Sequence, residues 1–223
     1  MDDGGGSSSL IELVKSNRSL RVLVVRIVLI TIASGVSGGL GIIYFKHVLG
    51  ATPLILGFLT SLTSLTILVT MLFSGWFSDK YGRKLGFVLG TFLASLPPLL
   101  FFLAFDWRLL VPAFIISAVG SSFISPSYQY IIRVVTSKEN RSTSIALINT
   151  LANIVSMIVP PLAAFLIMYF GGIRLVKYTF FIAFLLIFTA SIYVAKTLKI
   201  PEYVENEPKK GFLEPLKDLV KVY

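Results

Sequence analysis

Six long apolar stretches separated by short polar breaks account for most of this 223-residue chain. A bilayer core needs ~20 mostly apolar residues per helix. At that length the stretches read as Val22 to Phe45, Leu54 to Phe77, Leu85 to Phe105, Leu109 to Ile132, Ser144 to Phe170 and Tyr178 to Val194. The first is too long for the apolar core of a cleavable leader and lacks a small-residue cleavage site, so it is expected to remain as a spanning helix. Ahead of it, Met1 to Ser9 is rich in Gly, Ser and Asp and has nothing to bury. Residues 1–20 are therefore read as a disordered leader and polar N-terminus, and residues 21–195 as a six-helix transmembrane domain. Residues 196–223 form a polar linker with a candidate amphipathic helix carrying Leu213, Leu216, Leu219, Val220 and Tyr223.

Within the apolar stretches, polar and small residues fall in stripes. The first carries Thr31, Ser34, Gly38 and Gly41 at helical spacing, with Gly35 and Gly39 beside them. The fourth carries Ser117, Ser121, Ser125 and Tyr128, and the fifth aligns Asn149, Asn153, Ser156 and Pro160. Lipid tolerates only apolar side chains, whereas a helix interface or a water-filled cavity accepts small and polar ones. Helix packing alone accounts for many Ser, Thr and Gly positions. Asn149 and Asn153 are a stronger signal, because an amide at membrane depth needs a partner or a cavity. Arg26 lies about one turn inside the first helix and is expected to snorkel to the headgroups, with anion binding in a cavity as the second role. The third and sixth stretches are dominated by Leu, Phe and Ile and are expected to be outer, lipid-facing helices. Pro97-Pro98 and Pro160-Pro161 are expected to bend theirs.

Composition agrees with the pattern. The chain is 55% hydrophobic and 14% charged, with a mean hydropathy of +0.85, outside the range of soluble globular domains. The net charge of +9 is no nucleic-acid signature, since the cations flank apolar stretches instead of forming a stripe with aromatics. Between Val22 and Lys199 the only acidic residues are Asp79, Asp106 and Glu139, each in a polar break. With no Cys and the single His47 there is no thiolate chemistry, little scope for a metal site, and no cofactor or nucleotide loop is expected. Enzyme chemistry is not expected.

The breaks carry topology. Lys and Arg excess marks the cytoplasmic side. With the N-terminus inside, sixteen of the 20 cations fall on that side, leaving Lys46, Arg108, Arg174 and Lys177 outside. The chain is thus expected to be a multi-pass protein of the plasma membrane with both termini cytoplasmic.

One break is more than a spacer. Gly75-Trp76-Phe77-Ser78-Asp79-Lys80-Tyr81-Gly82-Arg83-Lys84 packs glycines, a carboxylate and three cations into a turn too short to cross anything. The spacing Gly75-x3-Asp79-Lys80-x-Gly82-Arg83-Lys84 resembles the loop between the second and third helices of the major facilitator superfamily of secondary transporters. Lys138-Glu139-Asn140-Arg141 resembles, more weakly, the loop between that family's fourth and fifth helices, and Phe170-Gly171-Gly172-Ile173-Arg174 its turn before the sixth. Val159 to Ala164 is a degenerate form of the family's antiporter element, with Ala in place of both terminal glycines. The drug exporters' Arg four residues before a fourth-helix Gly has no match, since Ile116 precedes Gly120.

The resemblance implies an all-α membrane fold of six helices in a three-plus-three inverted repeat, equivalent to the N-terminal half of a twelve-helix transporter. It also implies transport of a small solute by alternating access, with Asp79 as a gating residue that accepts from backbone amides at a helix N-terminus and pairs with Arg83 or Lys84. Helices one and four would line the cavity, two and five would face the partner half, and three and six would lie outside. The candidate cavity residues are then Arg26, Ser34, Gly38, Ser121, Ser125, Tyr128, Asn149 and Asn153. The expected partners are the lipid bilayer, a small-molecule solute, and a second six-helix half or a second copy. The alternative is a six-helix membrane interaction or regulatory subunit that transports nothing.

Overall fold

Each apolar stretch forms one continuous helix. The computed structural model describes residues 17–199. Its helices are α1 (Arg18–His47), α2 (Pro53–Tyr81), α3 (Arg83–Leu103), α4 (Leu110–Val135), α5 (Arg141–Phe170) and α6 (Val176–Thr197). All six are long and apolar enough to cross a membrane. Short 3₁₀ turns, Trp107–Leu109 and Gly172–Leu175, lead into α4 and α6. The leader and the tail with its candidate amphipathic helix lie outside the described residues.

The helix starts have local causes. Asn17 caps α1: its side-chain oxygen accepts from the amides of Ser19 and Leu20, both at 3.1 Å. Its Nδ2 donates to the carbonyl of Val135 at 2.7 Å, fastening the start of α1 to the end of α4. Thr52 caps α2 through Oγ1, which accepts from Ile55 N at 3.3 Å, and Pro53 follows at the first helical position, where no amide is needed. The prolines inside α3, α4 and α5 leave those helices unbroken.

Helix pairing obeys an internal symmetry. The extensive contacts join α3 to α4, α1 to α6, α3 to α6, α1 to α5 and α2 to α4. Exchanging α1 with α4, α2 with α5 and α3 with α6 maps that set onto itself, as an inverted three-plus-three repeat requires. Only a short contact joins α1 to α4.

In lipid, helices associate through close packing of small residues rather than through burial of apolar surface. Gly90 of α3 and Gly120 of α4 meet backbone to backbone, so that a Cβ on Gly90 would lie 2.8 Å from the Gly120 carbonyl oxygen. Gly35 of α1 seats Val159 of α5, whose Cγ1 would be 2.9 Å from an added Cβ. Two apolar clusters close the ends of the bundle. One joins Leu20, Leu23, Phe87, Ile131, Ile132, Ile148 and Val194. The other is aromatic, with Phe45 and Phe180 stacked at 5.6 Å.

α3 and α6, expected as outer helices, keep exposed apolar side chains such as Phe92, Ile182 and Leu185 and carry packed faces as well. They pack on each other and on α4 and α1, burying Gly86, Phe87, Gly90, Thr91 and Ser95 on α3 and Ala183, Ala190 and Ser191 on α6. Low polarity hid that role, because glycine and alanine create close-packing surfaces without adding hydrogen bonds. The helices with the least buried surface are α2 and α5. Their exposed side chains include Leu65, Leu68, Leu72, Met157, Phe165 and Tyr169.

Candidate functional site

The turn between α2 and α3 is a single residue, Gly82, held at φ +100°. A side chain would strain that backbone, so the glycine is required by conformation. Gly82 N donates to the Ser78 carbonyl at 3.1 Å and Gly86 N to the Gly82 carbonyl at 3.2 Å, so the glycine closes the last turn of α2 and opens the first turn of α3. Across it the carboxylate of Asp79, in the last turn of α2, pairs with the guanidinium of Arg83, the first residue of α3.

One detail differs from expectation and a second narrows it. Asp79 does not cap α3, whose N-cap position is Gly82 and has no side-chain cap bond. Its partner among the described residues is Arg83 and not Lys84. Arg83 and Lys80 also lean on rings: Arg83 Cζ is 5.2 Å from the Tyr130 centroid on α4, and Lys80 Nζ is 4.9 Å from that of Trp76.

Beneath the turn α2, α3 and α4 converge on small residues. Ser78 and Ser127 are buried with their hydroxyl oxygens 3.3 Å apart. Gly86 lies against both, leaving no room for a Cβ. One turn and two turns along, Ser74 Oγ donates to the Ser122 carbonyl at 2.8 Å, and the Thr70 and Ser122 hydroxyls meet at 2.7 Å. The sequence reading missed this α2–α4 seam and Gly86. Their signal was present in the spacings Thr70-x3-Ser74-x3-Ser78 and Gly86-x3-Gly90. Gly75 differs from its neighbours in the seam, since a Cβ there would meet nothing within 4 Å.

The candidate cavity residues divide into two groups. Ser34 and Gly38 on α1, Ser121 and Ser125 on α4, and Asn149 and Asn153 on α5 are all exposed at positions well inside their helices. Among the described residues no side-chain hydrogen bond joins them, and the two asparagine amides have no hydrogen-bond partner. An interhelical amide network inside this bundle is therefore not formed. Ser121 satisfies its hydroxyl on its own helix, donating to the Ser117 carbonyl at 2.9 Å.

Arg26 and Tyr128 form the second group. Arg26 does not snorkel: it is 5% exposed, turned inward with Cζ 4.4 Å from the Phe87 centroid and Nε donating to Thr91 Oγ1 at 3.1 Å. The ring of Phe87 and the hydroxyl of Thr91, both on α3, hold the side chain inward more effectively than the helix end draws it out. Tyr128 of α4 is half-buried and stacks on the same ring, centroids 6.4 Å apart.

The described residues contain no His, Cys, Asp or Glu cluster able to hold a metal ion. No curated protein is significantly similar to the chain in sequence. The Major Facilitator Superfamily model matches residues 22–222, and the six-helix inverted repeat with its Asp79–Arg83 turn accords with that match: the chain belongs to this superfamily of membrane transporters.

Proposed function

We propose that the chain carries one half of a solute transporter that works by alternating access, rocking against a second six-helix half about a site lined by α1, α4 and α5. The observation that carries this reading is the pair Asn149 and Asn153. They lie about 12 and 18 Å along α5 from its first residue, exposed and without a partner among the described residues. An unpaired amide costs several kcal/mol in hydrocarbon. That face of α5 therefore meets water or protein instead of lipid. Ser34, Gly38, Ser121 and Ser125 extend the same chemistry to α1 and α4, the two helices that barely touch each other.

In this reading the Asp79–Arg83 turn gates the cytoplasmic side, and both termini are cytoplasmic at the plasma membrane. The apolar faces of α2 and α5 meet the second half, supplied by further sequence, another chain or a second copy. Solute uptake into proteoliposomes by an assembly with twelve helices tests it. Counterflow that saturates with solute and is lost on Ser121→Trp is expected. Flux that is non-saturable and indifferent to that change would remove the proposal.

A further inference from the structure

Among the described residues no carboxylate answers the buried guanidinium of Arg26, and such a group calls for a ligand. Of the five N–H groups of Arg26, Nε is engaged by Thr91 Oγ1. The Thr91 hydroxyl in turn donates to the Phe87 carbonyl at 2.8 Å, so it acts on Arg26 purely as an acceptor. Among the described residues no protein hydrogen bond engages the two terminal nitrogens. Among the described residues no acid lies in range: Asp79 is paired with Arg83, Asp106 with Arg108, and Glu139 sits in the exposed loop before α5. Cation–π contact with Phe87 offsets part of the charge. A charge so far removed from water and left without an opposite charge is still destabilised. Tyr128 brings a phenol beside the same ring.

We infer that Arg26, assisted by Tyr128, coordinates an oxyanion: a carboxylate or phosphate group carried by the solute. The planar fork of the guanidinium offers two parallel N–H donors to such a group. The identity of the ligand as solute rests on the transport reading, whereas the existence of the site does not. A carboxylate from a second half has the same chemistry. A second copy of this chain cannot supply it from within its spans, since residues 22–199 contain no acid other than the three above.

The test is thermal unfolding of the full chain in nanodiscs of neutral phosphatidylcholine. Acetate, benzoate and inorganic phosphate are compared with glucose and tetramethylammonium chloride at matched ionic strength. At least one oxyanion should raise the midpoint saturably, by roughly 2–4 °C or more, and the controls should not. Arg26→Met removes an unanswered charge, so without anion its midpoint should equal or exceed the wild type while the anion shift is lost. Tyr128→Phe should keep the shift at several-fold weaker affinity.

No shift with any oxyanion, a shift that persists in Arg26→Met, or a lower anion-free midpoint in that variant would each overturn the inference. In a twelve-helix assembly, persistence of the shift supports the solute as source. Its disappearance there would assign the oxyanion to a partner carboxylate and overturn that source. Anion binding without transport would remove the transport reading and leave the site, while transport confined to neutral or cationic solutes would do the reverse.

Discussion

Asp79 lies in the last turn of α2 and Arg83 begins α3, and their ion pair bridges a bend made of one glycine. The pair is largely open to solvent, with the Asp79 side chain 44% and that of Arg83 26% exposed. At that exposure an ion pair stabilises by about 0.2–1 kcal/mol. Such an energy is too small to hold the fold and large enough to bias two nearly balanced conformations.

Asp79→Asn should therefore leave folding and membrane insertion intact and lower the transport rate of a twelve-helix assembly. A bias of about 1.4 kcal/mol changes a two-state ratio tenfold, so loss of about 0.2–1 kcal/mol should slow transport by roughly 1.5- to fivefold. Arg83→Gln should match it, and the double variant should be no worse than either alone. Insertion yield and uptake rate measured on the same preparations check this. Loss of insertion would make the pair structural, and an unchanged rate would make it a topology signal.

Glycine positions should separate packing from cavity. Gly90→Ala places a Cβ 2.8 Å from the backbone of Gly120, which cannot move without shifting α4. Overpacking of this kind costs about 1–3 kcal/mol. Gly38→Ala meets nothing within 4 Å and should leave stability unchanged. Unfolding in a denaturing detergent series reads both, and equal midpoints for the two variants would count against the α3–α4 contact.

The six spans were legible in the sequence because hydropathy alone sets them, and Gly82 because the turn allows nothing else. The hydrogen bonds of the seam were not. Ser74, Ser78, Ser122 and Ser127 are ordinary membrane-helix residues one at a time, and only the crossing of α2 over α4 brings them together. Arg26 was misread for a related reason. Distance from the helix end suggested snorkelling, but Phe87 and Thr91, two helices away in sequence, capture the guanidinium. The polar stripes of α1, α4 and α5 were legible as stripes, and their exposure depends on which neighbours each helix packs against.

Orientation rests on the distribution of cations and can be tested on a chain that has no native Cys. Lys80→Cys and Ser137→Cys lie at exposed positions at the same end of the bundle, and Arg174→Cys is exposed at the other. In intact cells an impermeant maleimide should label Arg174→Cys alone. Inverted vesicles should reverse the pattern. Labelling of Lys80→Cys from outside would overturn the assignment of the turn to the cytoplasm.

Tryptophan scanning should tell the solute face from the lipid face. At Phe184 and Leu185 on α6 a large aromatic replaces a large apolar side chain, the second of them 46% exposed, and little should change. At Ser34, Ser121 and Asn149 the same ring enters surfaces built from small or amide side chains. Lipid accepts an indole readily, so a lipid-facing position would tolerate all five changes alike. If α1, α4 and α5 line a crevice shared with a second half, Trp at the first three positions should reduce uptake by tenfold or more, about 1.4 kcal/mol or above in apparent free energy. Midpoints of unfolding should stay near wild type, because none of the three side chains is buried within this bundle. Equal uptake across the five variants at matched expression would show that the polar stripes serve packing alone.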